Sequence, residues 1–161
     1  MSAIAKRLEY ERELIQIIES KTNFFGQRGT HSQGIDVLLF KTSGLDGYSF
    51  CVRGEVKTSG SHKINMSGKV HEQYDRYLEV WKDRRVMTFY FYRLLTSKQY
   101  YPHKSNNNSE FEVTKFRQGH KEDKWLVFRI DQLPKNRNGK PYLDFFDQTA
   151  MTMDDFIDLL K

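Results

Sequence analysis

The sequence predicts an α/β fold in which a mixed central β-sheet is flanked by helices. Three observations carry this. Residues 3–20 and 70–83 place apolar side chains at the 3.6-residue helical period. Residues 35–40, 48–57, 86–94 and 125–130 are short apolar or alternating runs of the strand type. The order is helix, three strands, helix, strand, then further strands and a short helix, which is not a regular βαβ array.

Taken in order, residues 3–20 align Ile4, Leu8, Leu14, Ile15, Ile17 and Ile18 on one broad stripe, with Glu9 and Glu13 expected to point away from it. Glu11 falls mid-stripe, where a carboxylate is costly unless it is paired or metal-bound. The plain alternative is that Glu11 sits at the end of the stripe and reaches water. Residues 23–28 read as a short strand, and residues 28–34 (RGTHSQG) as a polar loop with two glycines. Residues 35–40 (IDVLLF) suit a buried strand, and residues 41–47 a turn marked by Gly44 and Asp46-Gly47.

Residues 48–57 (YSFCVRGEVK) alternate: Tyr48, Phe50, Val52 and Val56 share one face, and Cys51, Arg53, Glu55 and Lys57 the other. Residues 70–83 carry Val70, Tyr74, Tyr77, Leu78 and Trp81 on one helical face. Phe89, Tyr90, Phe91 and Tyr92 alternate within the next strand, which makes them core rather than a base-stacking platform. Residues 96–124 are polar, with a possible strand at 110–116. Asn138-Gly139 is a hairpin signal before a strand at 142–146, and Thr152 followed by Asp154 and Asp155 marks a helix start.

Length and composition bound the function. A chain of 161 residues fits one domain: a core over 3–95, a polar insertion over 96–124, and C-terminal strands with a short helix over 125–161. At 38% hydrophobic and 14% aromatic residues, wholesale disorder is excluded. No apolar run approaches the ~20 residues of a membrane span, and residues 1–20 are too charged for a signal peptide. The single cysteine, Cys51, forbids an intrachain disulfide and suits a reducing cytoplasm, nucleoid-associated in a cell or the host cytoplasm for a virus. Residues 1–140 carry 25 Lys/Arg against 16 Asp/Glu, while residues 141–161 carry 1 against 5. A basic body with an acidic end is the electrostatic footprint of a nucleic-acid partner.

Four residues carry the chemistry: Glu11, Asp36, Glu55 and Lys57. Asp36 stands near a strand end, just after a glycine-containing loop. Glu55 and Lys57, two apart on one strand, project from the same face, and Gly54 leaves room for close approach of a backbone or ligand. Several carboxylates with a backbone oxygen suit a hard cation, Mg²⁺ or Mn²⁺, and a neighbouring lysine can stabilise a scissile phosphate. This is the equipment of metal-assisted phosphodiester hydrolysis.

An Asp followed 19 residues later by Glu-x-Lys on a neighbouring strand resembles the PD-(D/E)xK nuclease superfamily, the restriction-endonuclease-like fold. The nearer resemblance is to the archaeal-type Holliday junction resolvases (Hjc). It rests on Glu11-Arg12-Glu13-Leu14-Ile15, on Arg28 and Ser32 before Ile35-Asp36, and on Gly54-Glu55-Val56-Lys57, and it covers roughly residues 5–95. The resemblance implies that Glu11, Asp36, Glu55 and the Val56 carbonyl bind Mg²⁺ or Mn²⁺. Lys57 would assist the attacking water, and Arg12, Arg28 and Ser32 would contact DNA phosphates. It further implies a homodimer that cuts two opposed strands of a four-way junction.

The proline that the superfamily places before the aspartate is replaced by Ile35. Gln73 and Tyr77 form a Gln-x-x-x-Tyr pattern that resembles RecB-like nucleases of the same superfamily. Gln73 either reaches the site or is simply a solvated neighbour of a core tyrosine, and the latter is the simpler reading. His31 in the glycine loop, Lys63 and Lys69 are further candidates for DNA contact, each with an ordinary surface role as its alternative. The histidines lack zinc spacing, and no glycine-rich nucleotide loop is present, so neither zinc nor a nucleotide cofactor is expected. The expected function is junction-resolving, metal-dependent DNA cleavage in recombination and repair. The rivals are another nuclease of this fold, of restriction or RecB-like type, and a DNA-binding module without catalysis.

Overall fold

The structure is a computed structural model that describes residues 2–29, 35–43, 48–61, 63–95, 98–100, 113–115, 124–144, 147 and 149–161. Helix α1 (Ala3–Lys21) starts at Ser2, whose hydroxyl accepts from the Ala5 amide, and ends at Thr22, whose amide and hydroxyl both donate to the Ile18 carbonyl. Leu14, Ile17 and Ile18 are buried, as their spacing requires. Two expectations for this helix fail. Ile4 is 64% exposed, because the α1 side chains that reach the core begin only at Tyr10. Glu13 points inward and not outward: it lies one turn before the buried Ile17 and finds a cation inside the protein.

The strands are β1 (Phe25–Arg28), β2 (Val37–Ser43), β3 (Tyr48–Ser59), β4 (Lys63–Asn65), β5 (Thr88–Leu94), β6 (Lys98–Tyr100), β7 (Val113–Lys115), β8 (Trp125–Arg129), β9 (Tyr142–Asp144) and β10 (Met151–Thr152). Six of them form one sheet in the order β1-β2-β3-β5-β8-β10. Among the described residues only β3 and β5 run parallel, and helix α2 (Lys69–Arg84) lies between them in the chain. A parallel pair needs such a crossover, whereas the antiparallel neighbours do not. Strand β2 continues through Ser43, into the segment whose glycines suggest a turn. A seven-residue register with β3 outweighs that local signal, and residues 44–47 lie outside the described residues.

The sheet carries a different chemistry on each face. Leu14, Ile17 and Ile18 of α1 join Val37, Leu39, Val52, Val56, Phe89 and Phe91, together with Met153, Phe156 and Ile157 of helix α3 (Met153–Leu160). The opposite face gathers Tyr74 and Tyr77 of α2 with Tyr90, Tyr92, Leu126 and Phe128. Strand alternation alone produces this division along β5: phenylalanines toward α1 and α3, tyrosines toward α2. Gly54 belongs to the phenylalanine face. A Cβ there would stand 2.5 Å from the Phe91 ring, so its missing side chain makes room for core packing and not for a ligand.

Two small two-stranded sheets, β4 with β9 and β6 with β7, complete the strands. β7 falls within the stretch expected to be able to form a strand. The Asn138-Gly139 signal does make a turn: Gly139 has φ +74°, and the Asn136 carboxamide oxygen accepts from the Asn138 and Lys140 amides. The strand that follows pairs with β4, while the turn itself is closed by a Lys135–Pro141 bridge and by the Asn136 amide donating to the Lys140 carbonyl. Helix α3 begins with a capping box between Thr152 and Asp155. Among the described residues no helix is long and apolar enough to cross a membrane.

Candidate active site

The register of β2 on β3 creates the site. The last pair is Val37 with Gly54, so β3 runs on from Glu55 to Ser59 without β2 beside it. The amide of Val56 on that uncovered edge would lack an acceptor. Asp36, the residue just before β2, supplies one: its Oδ2 accepts from Val56 N at 2.9 Å. The ends of the preceding loop are drawn together as well, because the Gly29 amide donates to the Asp36 carbonyl at 2.8 Å. A Cβ on Gly29 would fall 1.7 Å from the Ile35 carbonyl oxygen, so only glycine fits there.

Around this notch in the sheet, acids from three elements meet. Asp36 comes from the start of β2, Glu55 from β3 and Glu11 from α1, and all three are buried. Arg7, one helical turn before Glu11, joins two of them: its Nε donates to Glu11 Oε1 at 3.3 Å and its Nη2 to Asp36 Oδ1. Arg28 on β1 donates to the other Glu11 oxygen at 2.9 Å. On the α2 side, Lys57 Nζ donates to Glu55 Oε1 at 3.0 Å and to Gln73 Oε1 at 3.3 Å. Gln73 Nε2 in turn donates to the Tyr77 hydroxyl, which donates to Glu55 Oε2 at 3.3 Å. Gln73 is therefore tied to the Lys57 ammonium, and its reading as a mere solvated neighbour of Tyr77 does not hold.

The electrostatics follow from burial. Loss of water pushes the Glu55 carboxyl up to about 7; Lys57 and Arg7 pull it down, and the nearby negative charge of Asp36 pushes it further up. Arg7 is held above its ordinary range: burial works against its charge, but Asp36, Glu55 and Glu11 outweigh it. Burial, then the charges of Glu55 and Asp36, likewise raise the Tyr77 hydroxyl. Arg53, also on the Glu55 face of β3, lays its guanidinium over the Tyr77 ring at 5.3 Å. The fold thus assembles a patch of three carboxylates interleaved with the cations Arg7, Arg28 and Lys57.

The residues singled out in the sequence can now be placed, save two. Glu11, Asp36, Glu55, Lys57, Arg28 and Gln73 come together, and Val56 enters through its amide. Arg28, read as a phosphate contact, is engaged by Glu11. Arg12 is exposed on α1, Lys63 is exposed over the Tyr142 ring at 4.2 Å, and Lys69 is exposed in the first turn of α2. His31 and Ser32 lie outside the described residues. In the present arrangement, among the described residues, no three His, Cys, Asp or Glu side chains form a metal-ligand set, and the Arg7 guanidinium bridges Glu11 and Asp36. Arg7 is the residue that sequence reading missed. Its signal was the i, i+4 spacing to Glu11, a helical ion-pair distance too common to stand out.

Across its length the chain is similar to a solved structure of Archaeoglobus fulgidus Hjc, a Holliday junction resolvase from an archaeal hyperthermophile. The TM-score is 0.57 and the identity 12%, with 95% of this chain and 96% of the other covered. The fold is that nuclease fold. The six-stranded mixed sheet and its helices match it, as the resemblance carried by the Asp…Glu-x-Lys signature implies. No family model matches the chain, and neither does any curated protein sequence. The likeness is therefore one of architecture, and the chemistry has to be argued from the site.

Proposed function

We propose that this protein is a Mg²⁺-dependent endodeoxyribonuclease that hydrolyses phosphodiesters at branched, four-way DNA junctions, acting as a homodimer. The observation that carries the proposal is the convergence of Glu11, Asp36, Glu55 and Lys57 at the notch beside β2. The nuclease fold of the neighbouring structure supports it, and so does the basic body of the chain. A dimer would bring two such sites to two opposed strands.

A hard divalent cation fits this site in kind. All the anionic donors are oxygens, and the charge of Asp36 lies close enough to the buried Glu55 carboxyl to disfavour its ionisation. Glu11, Asp36 and Glu55, with the Val56 carbonyl, are the groups that would hold it. When bound, such an ion would neutralise phosphate charge and acidify a water. The chain's own residues do the rest. Asp36 is fixed by the Val56 amide, so its carboxylate is oriented before substrate arrives. Lys57, aimed by Glu55 and Gln73, presents an ammonium to the charge that develops on the phosphate. Tyr77 holds the far oxygen of Glu55. Arg12, Lys63 and Lys69 add exposed positive charge for backbone contacts, so affinity should fall with salt and depend on DNA shape rather than base sequence.

The test is incubation of the purified protein with Mg²⁺ and junction, linear duplex or single-stranded DNA. Paired nicks confined to junctions are expected. Degradation from free ends would instead establish a RecB-like exonuclease, the second reading, which the contact of Gln73 with Lys57 favours. Binding with no cleavage of any substrate would leave a DNA-binding module.

A further inference from the structure

The ionic cluster is balanced as it stands: Glu11, Asp36 and Glu55 face Arg7, Arg28 and Lys57. A divalent cation added to this set, with every side chain in place, would leave an excess of positive charge in a buried site. At least one of the three cations must yield to reduce it, and the geometry distinguishes them. Lys57 is 18% exposed and tied to both Glu55 and Gln73. Arg28 is 32% exposed and, among the described residues, pairs with Glu11 alone. Arg7 is 48% exposed, and it is the one that touches two of the candidate ligands, Glu11 and Asp36. It belongs to the first turns of α1, which add no side chain to the core before Tyr10. Its guanidinium can swing to water without disturbing the fold, whereas the acids it leaves behind cannot follow.

We infer that Arg7 is a displaceable counter-ion, whose guanidinium competes with a divalent cation for the carboxylates of Glu11 and Asp36. Arg7 keeps the acids paired while the site is without metal. Metal loading requires its side chain to leave, and metal affinity is lower for that requirement. The inference rests on the metal-dependent reading above. It goes beyond that reading by assigning a role to a residue outside the Asp…Glu-x-Lys signature.

The experiment is calorimetric titration of the full chain with MnCl₂ alone, together with thermal unfolding with and without Mn²⁺, for wild type, Arg7→Gln and Arg7→Lys. Arg7→Gln should bind Mn²⁺ about tenfold more tightly than wild type, since removal of one competing charge in contact with two ligands is worth roughly one power of ten. Its unfolding temperature should lie below that of wild type without metal and gain more when Mn²⁺ is added. Arg7→Lys keeps the charge but loses the fork that spans two carboxylates, and should fall between the two. It serves as the test should Arg7→Gln fail to fold. Wild type that binds Mn²⁺ while both variants bind it equally or more weakly would make Arg7 a fixed strut and overturn the inference, leaving the metal reading intact. If neither wild type nor variants bind Mn²⁺, the metal reading falls and the inference with it.

Discussion

Helix α1 carries two buried glutamates two residues apart, and they end in opposite situations. Glu13 meets Arg93 of β5 in a closed, two-pronged pair, with Nε to Oε2 at 2.9 Å and Nη2 to Oε1 at 3.3 Å. Arg93 gives its remaining nitrogen to the Leu94 carbonyl and lies against the rings of Tyr10 and Trp125. That pair is saturated and shielded from water. Glu11 instead joins Asp36 and Glu55 in a group whose cations are partly exposed and whose Glu55 carboxyl is pushed up to about 7. The first arrangement specifies how α1 docks on the sheet. The second is paired by cations that water can reach, so a metal ion or a phosphate can exchange with them. Burial of an acid does not distinguish the two; the completeness and exposure of its partners do.

The largest expected effects set the two clusters apart. Glu55→Gln and Asp36→Asn should each lower metal-dependent junction cleavage by about a thousandfold or more, roughly 4 kcal/mol of barrier. Glu13→Gln, compared at equal folded fraction, should leave the rate within a few-fold. Equal losses in single-turnover assays would erase the distinction. In stability the order reverses. Glu13→Ala or Arg93→Ala strands a buried charge and should cost about 3–5 kcal/mol in urea unfolding, while replacing both with apolar residues should recover much of that.

The next effect concerns pH. Glu55 in the folded protein titrates near 7 instead of 4.5, so between those values the folded state binds more protons than the unfolded chain. Metal-free stability should therefore fall as pH rises through this window. Glu55→Gln should remove the decline, a difference on the order of 2–3 kcal/mol by pH 8. An unchanged slope in the variant would mean that burial does not burden Glu55 as described. Smaller still is Gly54→Ala, which presses on Phe91 behind the site and should cost about 1–3 kcal/mol in thermal unfolding. Its Mn²⁺ affinity should change less than its stability, because the side chain at 54 faces away from the acids.

Much of this was legible along the chain. The period-two alternation of residues 48–57 and 86–94 sorted Val56 from Glu55 and Lys57, and Phe91 from Tyr90. The Thr152 cap and the Gly139 turn are local signals, and they appear where local chemistry places them. Glu13 and Arg93 were not legible as a pair, because the residues are 80 apart and each resembles a surface charge when read alone. The role of Gly54 was misread for a similar reason: whether a bare Cα admits a ligand or a ring depends on what the parallel neighbour β5 brings opposite it.

Residue order thus specified which faces exist, where the Gly139 turn and the Thr152 cap fall, and that Glu11, Asp36, Glu55 and Lys57 were the groups to watch. It could not say that β2 would stop pairing at Val37, leaving the Val56 amide for Asp36, nor that Arg7 would stand among the acids. Local patterns arise from interactions within a few residues, whereas a charge cluster is the outcome of strand register and helix docking. Those depend on contacts between segments remote in the chain.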